Sequence, residues 1–198
     1  MQRPEKLARD ELPKGSTMGS SVFPGPGIVK QTRCGRSVGL VLRRAILWRM
    51  DADLEFMQQA IDEARGAGAA GEVPIGAVVV QEAKIIARSG NRTIRDCDPT
   101  AHAEMVVLRE AARANGNYRL AATTLYVTAE PCSMCAGAMI QARVVRLVYG
   151  CDDPKGGAVR SCFEVLSHPR LNHRVEVVSG LLAAECAALL QSFFAARR

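Results

Sequence analysis

Apolar and polar residues alternate along this chain with two different periods, and the two periods predict both helices and strands. Between residues 51 and 65 the apolar positions recur at helical spacing, and a glycine-rich stretch at 66–71 ends this first predicted helix. The runs 75–80 and 84–88 are β-branched, apolar and separated by a short polar turn, which is typical of a β-hairpin.

The second half of the chain predicts helices and strands in alternation. Its predicted elements, in chain order, are a helix at 103–114, a strand at 124–128, a helix at 135–142, strands at 145–149 and 175–178, and a last helix at 181–198. Such alternation favours parallel strands joined by right-handed crossovers. Together with the hairpin, it predicts an α/β fold: a three-layer α/β/α sandwich around a central mixed sheet of five strands.

Residues 1–49 differ from the rest in both pattern and charge. They hold four prolines and scattered glycine and serine, and ten basic residues face three acidic ones, whereas residues 50–198 hold 16 basic and 17 acidic residues. The only apolar stretch of the segment, 38–48, is interrupted by Gly39 and by two arginines. We therefore expect a disordered basic extension at 1–49 and one domain at 50–198. The bulk charge of that domain gives no sign of RNA binding, so RNA binding would need a local basic patch.

The extension and the cysteines bear on where the protein works. Three acidic residues near the start argue against an organellar transit peptide, and Met50, directly before the first predicted helix, is an alternative start of translation. Seven cysteines are an odd number, so a disulfide framework is not expected, and five of them resemble the thiols of a reducing compartment. No apolar run approaches the roughly 20 residues that cross a bilayer. We expect a cytoplasmic protein.

Four residues in two short motifs carry the candidate chemistry. His102 and Glu104 stand in one motif, and Cys132 and Cys135 follow about thirty residues later. One histidine and two cysteines make three zinc ligands, the number found in catalytic sites that keep the fourth position for water. Glu104 is not needed as a ligand, so it is free to move protons as the general acid and base. The prediction is one Zn²⁺ per chain, held by His102, Cys132 and Cys135.

The spacing of both motifs places these residues at the starts of helices. Cys132 and Cys135 are three apart and share a helix face if Pro131 opens the helix. The positive end of the helix dipole then favours the thiolate form, which is the form that binds metal. His102 and Glu104 are two apart and would diverge on a regular helix, so they are expected at the entrance to the helix at 103–114. Taken singly, each motif has another interpretation: the cysteines as a redox pair, the histidine as an ordinary packed side chain.

Together the motifs match the signature of zinc-dependent deaminases, and the resemblance extends along the chain. From about residue 50 the sequence resembles bacterial-type tRNA-specific adenosine deaminases, which belong to the cytidine-deaminase-like superfamily. The stretches that carry this resemblance are 71–78, 91–92, 98–104, 117–120, 125–128, 130–140, 172–176 and 185–190.

The resemblance implies a fold, a reaction and partners. The fold is cytidine-deaminase-like, and the reaction is the hydrolytic deamination of the wobble adenosine of a tRNA anticodon to inosine. Glu104 would protonate the ring nitrogen and then the departing ammonia. The implied partners are a tRNA anticodon stem-loop and a second copy of the chain in a homodimer whose active sites border the interface.

The same resemblance suggests which residues meet the RNA. Asn91 would hydrogen-bond the base, and Asp153 would lie near the sugar of a loop nucleotide. Lys155 is a candidate phosphate contact and His173 a candidate stacking partner, although surface side chains of these types are often merely solvated. Further candidates for phosphate contacts or stacking are Arg160, Arg170, Arg174, Phe194, Arg197 and Arg198.

The chain departs from the bacterial pattern in two places. Residues 1–49 have no counterpart there, and Thr93 and Arg95 stand where a proline and a glycine are more familiar, in a loop that follows Asn91. Two other functions therefore stay open: a deaminase of a free base or nucleoside such as guanine or cytidine, and a non-catalytic zinc-binding subunit. Glu104 argues against the second, because such a subunit needs no proton shuttle.

Overall fold

The computed structural model describes residues 35–197, which form four α-helices, one 3₁₀ turn and five strands. In chain order the elements are α1 (Gly35–Ala69), β1 (Gly76–Gln81), β2 (Lys84–Gly90), α2 (Ala103–Ala114), β3 (Thr123–Ala129), α3 (Ser133–Ala142), β4 (Arg146–Cys151), the 3₁₀ turn (Val165–Ser167), β5 (Glu176–Ser179) and α4 (Ala183–Ala195). No helix in this part of the chain is long and apolar enough to cross a membrane.

The five strands form one mixed sheet in the order β2-β1-β3-β4-β5. Strand β1 is antiparallel to both neighbours, whereas β3, β4 and β5 run parallel. The parallel strands are linked through α3 and through the segment that carries the 3₁₀ turn. The expected hairpin and the expected mixed five-stranded sheet are both confirmed.

Two hydrophobic cores, one on each face of the sheet, make the three layers. Alternate residues of a strand point to opposite faces, and in β1 Val79 packs in one core while Val78 packs in the other. The first core is closed by α2 and α3, with Leu108 and Met139 among its buried residues. The second is closed by α1 and α4, which contribute Met57 among others.

Most predicted boundaries agree with the structure within three residues, but the start of the first helix was wrong. Helix α1 begins at Gly35 and not at residue 51, so residues 35–49 are helical and not irregular as expected. The chain has no proline between Pro26 and Pro74, and the stretch 38–48 contains three leucines, two arginines and one alanine. These residues have high helix propensity, and it outweighs the broken apolar pattern. The expectation of disorder at 1–34 lies outside the described residues.

The two ends of the sheet hold different kinds of polar residues. At the end where β4 begins, the guanidinium of Arg146 donates two hydrogen bonds of 2.7 Å to the carboxylate of Asp53 in α1, which also accepts one from the Tyr126 hydroxyl. Both partners of this ion pair are buried. At the opposite end, after β2 and β3, the chain turns into the segments that carry the predicted metal ligands.

Candidate metal centre and active site

The three predicted metal ligands meet at the starts of two helices. His102 is the residue before the first turn of α2, Cys132 is the residue before the first turn of α3, and Cys135 lies inside that turn. Extended backbone at His102 and Cys132 turns each side chain across the helix start. The sequence prediction that both motifs lie at helix entrances is confirmed.

The distances within this group fit a tetrahedral metal ion. The Sγ atoms of Cys132 and Cys135 are 3.6 Å apart, and Nδ1 of His102 lies 3.6 Å and 3.7 Å from them. Bonds of about 2.3 Å from zinc to sulfur and about 2.0 Å to nitrogen would separate two sulfurs by about 3.8 Å and sulfur from nitrogen by about 3.5 Å in a tetrahedron. Both cysteines are free thiols, so the pair is no disulfide. These residues can hold a metal ion, and one coordination position stays free of protein.

The electrostatics of the group favour a thiolate at the helix start. The hydrogen bond from the Cys135 thiol, helped by His102, lowers the pKa of Cys132 to about 3. The same hydrogen bond raises the pKa of Cys135, and its burial adds to this. The hydrogen bond to Cys132 also raises the pKa of His102. Metal ligation needs both sulfurs as thiolates, so binding of a divalent cation would release the thiol proton of Cys135.

Glu104 lies beside the ligands but belongs to the first turn of α2. Only 4% of the residue is exposed, and burial raises the pKa of its carboxyl group above the ordinary value. His102 opposes the shift and Cys132 adds to it, so the carboxyl group responds to the charge of the metal ligands. A buried carboxyl group next to a metal site is suited to transferring protons to and from a bound substrate.

A cavity of about 620 Å³ opens in front of this group. Its floor includes His102, Glu104 and Cys132, and one wall is formed by residues 152–155. The apolar side is contributed by Val73, Ile75, Leu190 and Phe194. A pocket of this size, apolar with a few convergent polar groups, suits a small organic ring system.

Glu130, the last residue before Pro131, is the centre of a hydrogen-bond cluster on the same wall. Its Oε1 accepts from the backbone N–H groups of Val159, Arg160 and Ser161 at 3.0, 2.8 and 2.9 Å. Its Oε2 accepts from the N–H of Asp153 at 3.1 Å and from the Ser161 hydroxyl. Burial alone would raise the pKa of Glu130, but these donors outweigh it and lower the pKa to about 2. Glu130 therefore stays ionised and ties residues 153–161 to the metal-binding segment.

The predicted substrate residues divide into two groups in the structure. Asp153 and Lys155 line the cavity. Asn91 and His173 do not: Oδ1 of Asn91 accepts from the N–H of Ala103 at 2.9 Å, and Nε2 of His173 lies 2.6 Å from the carbonyl oxygen of Val144. The structure thus places Asn91 at the start of α2, next to the His102 ligand, and His173 at the opposite end of the sheet.

The basic and aromatic candidates are similarly divided. Phe194 and Arg197 line the cavity. Arg160 instead pairs with Asp152 at 2.7 Å, and Arg174 donates to the carbonyl oxygens of residues 167–169. Arg170 is exposed, and Arg198 lies outside the described residues.

Besides Asp53, two buried carboxylates were missed by the sequence analysis. Besides Glu130, Glu72 is 2% exposed and accepts hydrogen bonds from the N–H groups of Ile94 and Arg95 and from the Thr93 hydroxyl. It therefore anchors the loop in which the sequence departs from the bacterial pattern. An acidic residue next to an apolar strand was the available signal in both cases, but it does not name the partners.

Comparison with known proteins agrees with this geometry. The family model of MafB19-like deaminases matches residues 51–198. A tRNA-specific adenosine deaminase of Agrobacterium fabrum is 52% identical over 143 residues, covering 72% of this chain and 94% of its own, and that of Bacillus subtilis is 49% identical over 145 residues, covering 73% and 90%.

Solved structures give the same result. A structure from studies of A-to-I editing by tRNA:A34 deaminases superposes with a TM-score of 0.67 and 53% identity, covering 69% of this chain and 99% of that one. A guanine deaminase from Nitrosomonas europaea superposes with a TM-score of 0.60 and 28% identity, covering 72% and 84%. The chain belongs to the deaminase family that includes the tRNA-specific adenosine deaminases.

Proposed function

We propose that this protein deaminates the wobble adenosine of tRNA anticodons to inosine, with one zinc ion held by His102, Cys132 and Cys135. The observation that carries the proposal is the buried Glu104 beside three ligand atoms that lie 3.6–3.7 Å apart, at the floor of a cavity of about 620 Å³. Relatives that are about half identical over nearly their full length are tRNA-specific adenosine deaminases, which supports adenosine in tRNA as the substrate.

Zinc bound by these ligands would supply Lewis-acid activation of water at neutral pH. Glu104 performs the proton transfers, because its buried carboxyl group lies beside the metal ligands at the floor of the cavity. There it can take a proton from water and deliver it to the ring nitrogen and then to the leaving ammonia. Asn91 would orient the base from the helix start beside His102, which requires its amide group to reach into the cavity when the base is bound.

The residues that line the rim would hold the nucleotides around the reacting base. Asp153, Lys155, Phe194 and Arg197 all line the cavity, so a sugar, a phosphate and a stacked base each find a suitable group. A base in a hairpin loop is unstacked at lower cost than a paired base, which suits an anticodon. His173 lies too far from the cavity to meet the same nucleotide, so we propose that it contacts the RNA elsewhere or only supports β4. The proposal includes the homodimer that the family resemblance implies.

The structural similarity to a guanine deaminase supports a second candidate function, the deamination of a free base. Identity separates the two candidates: 28% for that enzyme against 53% for the tRNA:A34 deaminase structure. The open rim with cationic groups also favours a larger substrate than a free base.

The test is a direct assay with zinc-loaded protein. An anticodon stem-loop with adenosine at the wobble position is incubated with the protein, and inosine is measured after nuclease digestion. We expect inosine from this stem-loop and far slower turnover of free adenosine, cytidine and guanine, because contacts to flanking nucleotides position the reacting base. A stem-loop whose adenosine stands one position away is the matched control. Faster turnover of free guanine than of the stem-loop would overturn the proposal.

A further inference from the structure

The loop 153–161 forms one wall of the cavity, yet it contains little regular structure of its own. Its backbone is attached to the metal-binding segment at two levels. The N–H of Ala158 donates to the carbonyl oxygen of Pro131 at 2.8 Å, and Gly157 bridges to Cys132 as in an antiparallel ladder. The hydrogen bonds from the backbone N–H groups of residue 153 and residues 159–161 all run to the side chain of Glu130.

We propose that Glu130 is a positioning residue for the substrate: its carboxylate sets the place of Asp153 and Lys155 relative to the metal site. The inference rests on the proposed function and deepens it. Four backbone N–H groups and one hydroxyl converge on its two oxygens, although only 4% of the residue is exposed. Glu130 also lines the cavity, but its two carboxylate oxygens are occupied by these five donors. It acts through the wall that it holds.

Close packing at Gly157 restricts the movement of the loop relative to the Glu130 carboxylate. A Cβ atom at Gly157 would overlap the Glu130 carboxylate and would lie 2.7 Å from the carbonyl oxygen of Asp153. The loop therefore passes over the carboxylate at the closest distance that a backbone allows. A fixed wall lowers the entropy lost when a nucleotide is bound against it.

The two carboxylate oxygens of Glu130 accept hydrogen bonds from different parts of the loop. A substitution can therefore disturb one part and leave the other in place. Oε1 holds the three N–H groups of residues 159–161, whereas Oε2 holds the N–H of Asp153. In Glu130→Gln the amide oxygen best replaces Oε1, since it accepts three donors there. The NH₂ group then faces the Asp153 N–H, and two donors repel. The variant thus releases the Asp153 end of the loop and keeps the other end.

Glu72→Gln is the matched control. Glu72 is equally buried and also accepts two backbone N–H groups and a hydroxyl, but the residues that it holds do not line the cavity. Asn91 keeps its own bonds to Ile75 and Ala103, which do not involve Glu72. A merely structural role predicts a lower melting temperature in both variants and no change in the Michaelis constant of either.

The experiment compares zinc content, kcat and KM on the stem-loop, and hydrogen exchange of the backbone amides without RNA. We expect Glu130→Gln to keep one zinc per chain, to raise KM about tenfold with a smaller change in kcat, as expected for a lost charge-assisted hydrogen bond, and to exchange the Asp153 amide faster. Glu72→Gln should leave KM unchanged. An unchanged KM in Glu130→Gln, or an equal rise in Glu72→Gln, overturns the proposal.

A second variant covers the case in which Glu130→Gln does not fold. Gly157→Ala leaves every charge in place and pushes the loop off the carboxylate, so it should also raise KM. Gly66→Ala, where a Cβ meets nothing within 4 Å, is its control. If Gly157→Ala binds the stem-loop as the unchanged protein does, the positioning role is wrong. If the unchanged protein does not act on tRNA, the proposed function fails. Independently of that result, slow exchange of the Asp153 amide in Glu130→Gln would show that Glu130 does not hold this end of the loop.

Discussion

The entrance to α2 and the end of β3 each place one glutamate against the cavity, and the two glutamates have the same 4% exposure. Their pKa values nevertheless move in opposite directions. Burial dominates at Glu104 and raises its pKa, whereas at Glu130 five hydrogen-bond donors outweigh burial and lower the pKa to about 2. Exposure alone therefore does not decide what a buried carboxylate does. The number of donors aimed at each carboxylate separates the proposed proton carrier, Glu104, from the proposed anchor, Glu130.

The largest expected effect comes from removing the ion beside Glu104. In Cys132→Ser and His102→Ala we expect most of the bound zinc to be lost and deamination to fall below detection, because the pKa of water then returns from about 7 toward about 15.7. Metal content by mass spectrometry and inosine formation are measured on the same samples. Cys97→Ser, at an exposed cysteine outside the site, should keep both. A fully active Cys132→Ser protein would contradict the ligand assignment.

Glu104→Ala should separate chemistry from metal binding. We expect about one zinc per chain and a loss in kcat of at least about 10²-fold, the lower range for general acid–base catalysis. Glu110→Ala, a partly exposed position in the same helix, is the control and should change kcat little. The assigned role fails if Glu104→Ala is recovered without zinc, or if it turns over at the original rate.

The difference between the two glutamates also shows which features of the site could be predicted from the sequence. The metal ligands and Glu104 could be predicted because their chemistry resides in side chains at short, fixed spacings, and α2 has the predicted bounds. The role of Glu130 could not be predicted, since its donors are backbone N–H groups up to 31 residues away and any residue type supplies such a group. The same holds for Asn91, whose bond to the Ala103 N–H depends on where two loops meet. His173 was chosen by type and lies away from the cavity.

Glu72 offers a separate test of how a buried carboxylate stabilises the fold. Its pKa is lowered, like that of Glu130, but it lies away from the metal ligands. Hydrogen bonds from Arg95, Ile94 and Thr93 outweigh burial and lower the pKa of Glu72 below the ordinary 4.5. A carboxylate with a depressed pKa in the folded state stabilises the protein above its unfolded pKa and loses this contribution as the pH falls. The stability difference between the unchanged protein and Glu72→Gln should therefore be full near pH 7 and shrink below about pH 4.5. Urea denaturation at several pH values measures it, and a difference that grows on acidification would contradict the prediction.

The smallest effect is expected where neither glutamate is involved. A chain that begins at Met50 should fold, bind zinc and deaminate the stem-loop within a few-fold of the full chain, although the structure shows that α1 starts at Gly35. The contact known to be lost is the ion pair from Arg49 to Glu176, and both side chains are more than half exposed, so it contributes little. Every residue assigned to the site lies beyond Met50, as does the segment that matches the family model.

The basic residues before Met50 should instead tighten non-specific RNA binding at low salt, and this effect should fade as salt rises because it comes from released counterions. Binding and turnover measured for both chains across a salt series test this, and a shortened chain that is inactive at every salt concentration would mean that residues before Met50 support the α1 layer or complete the site.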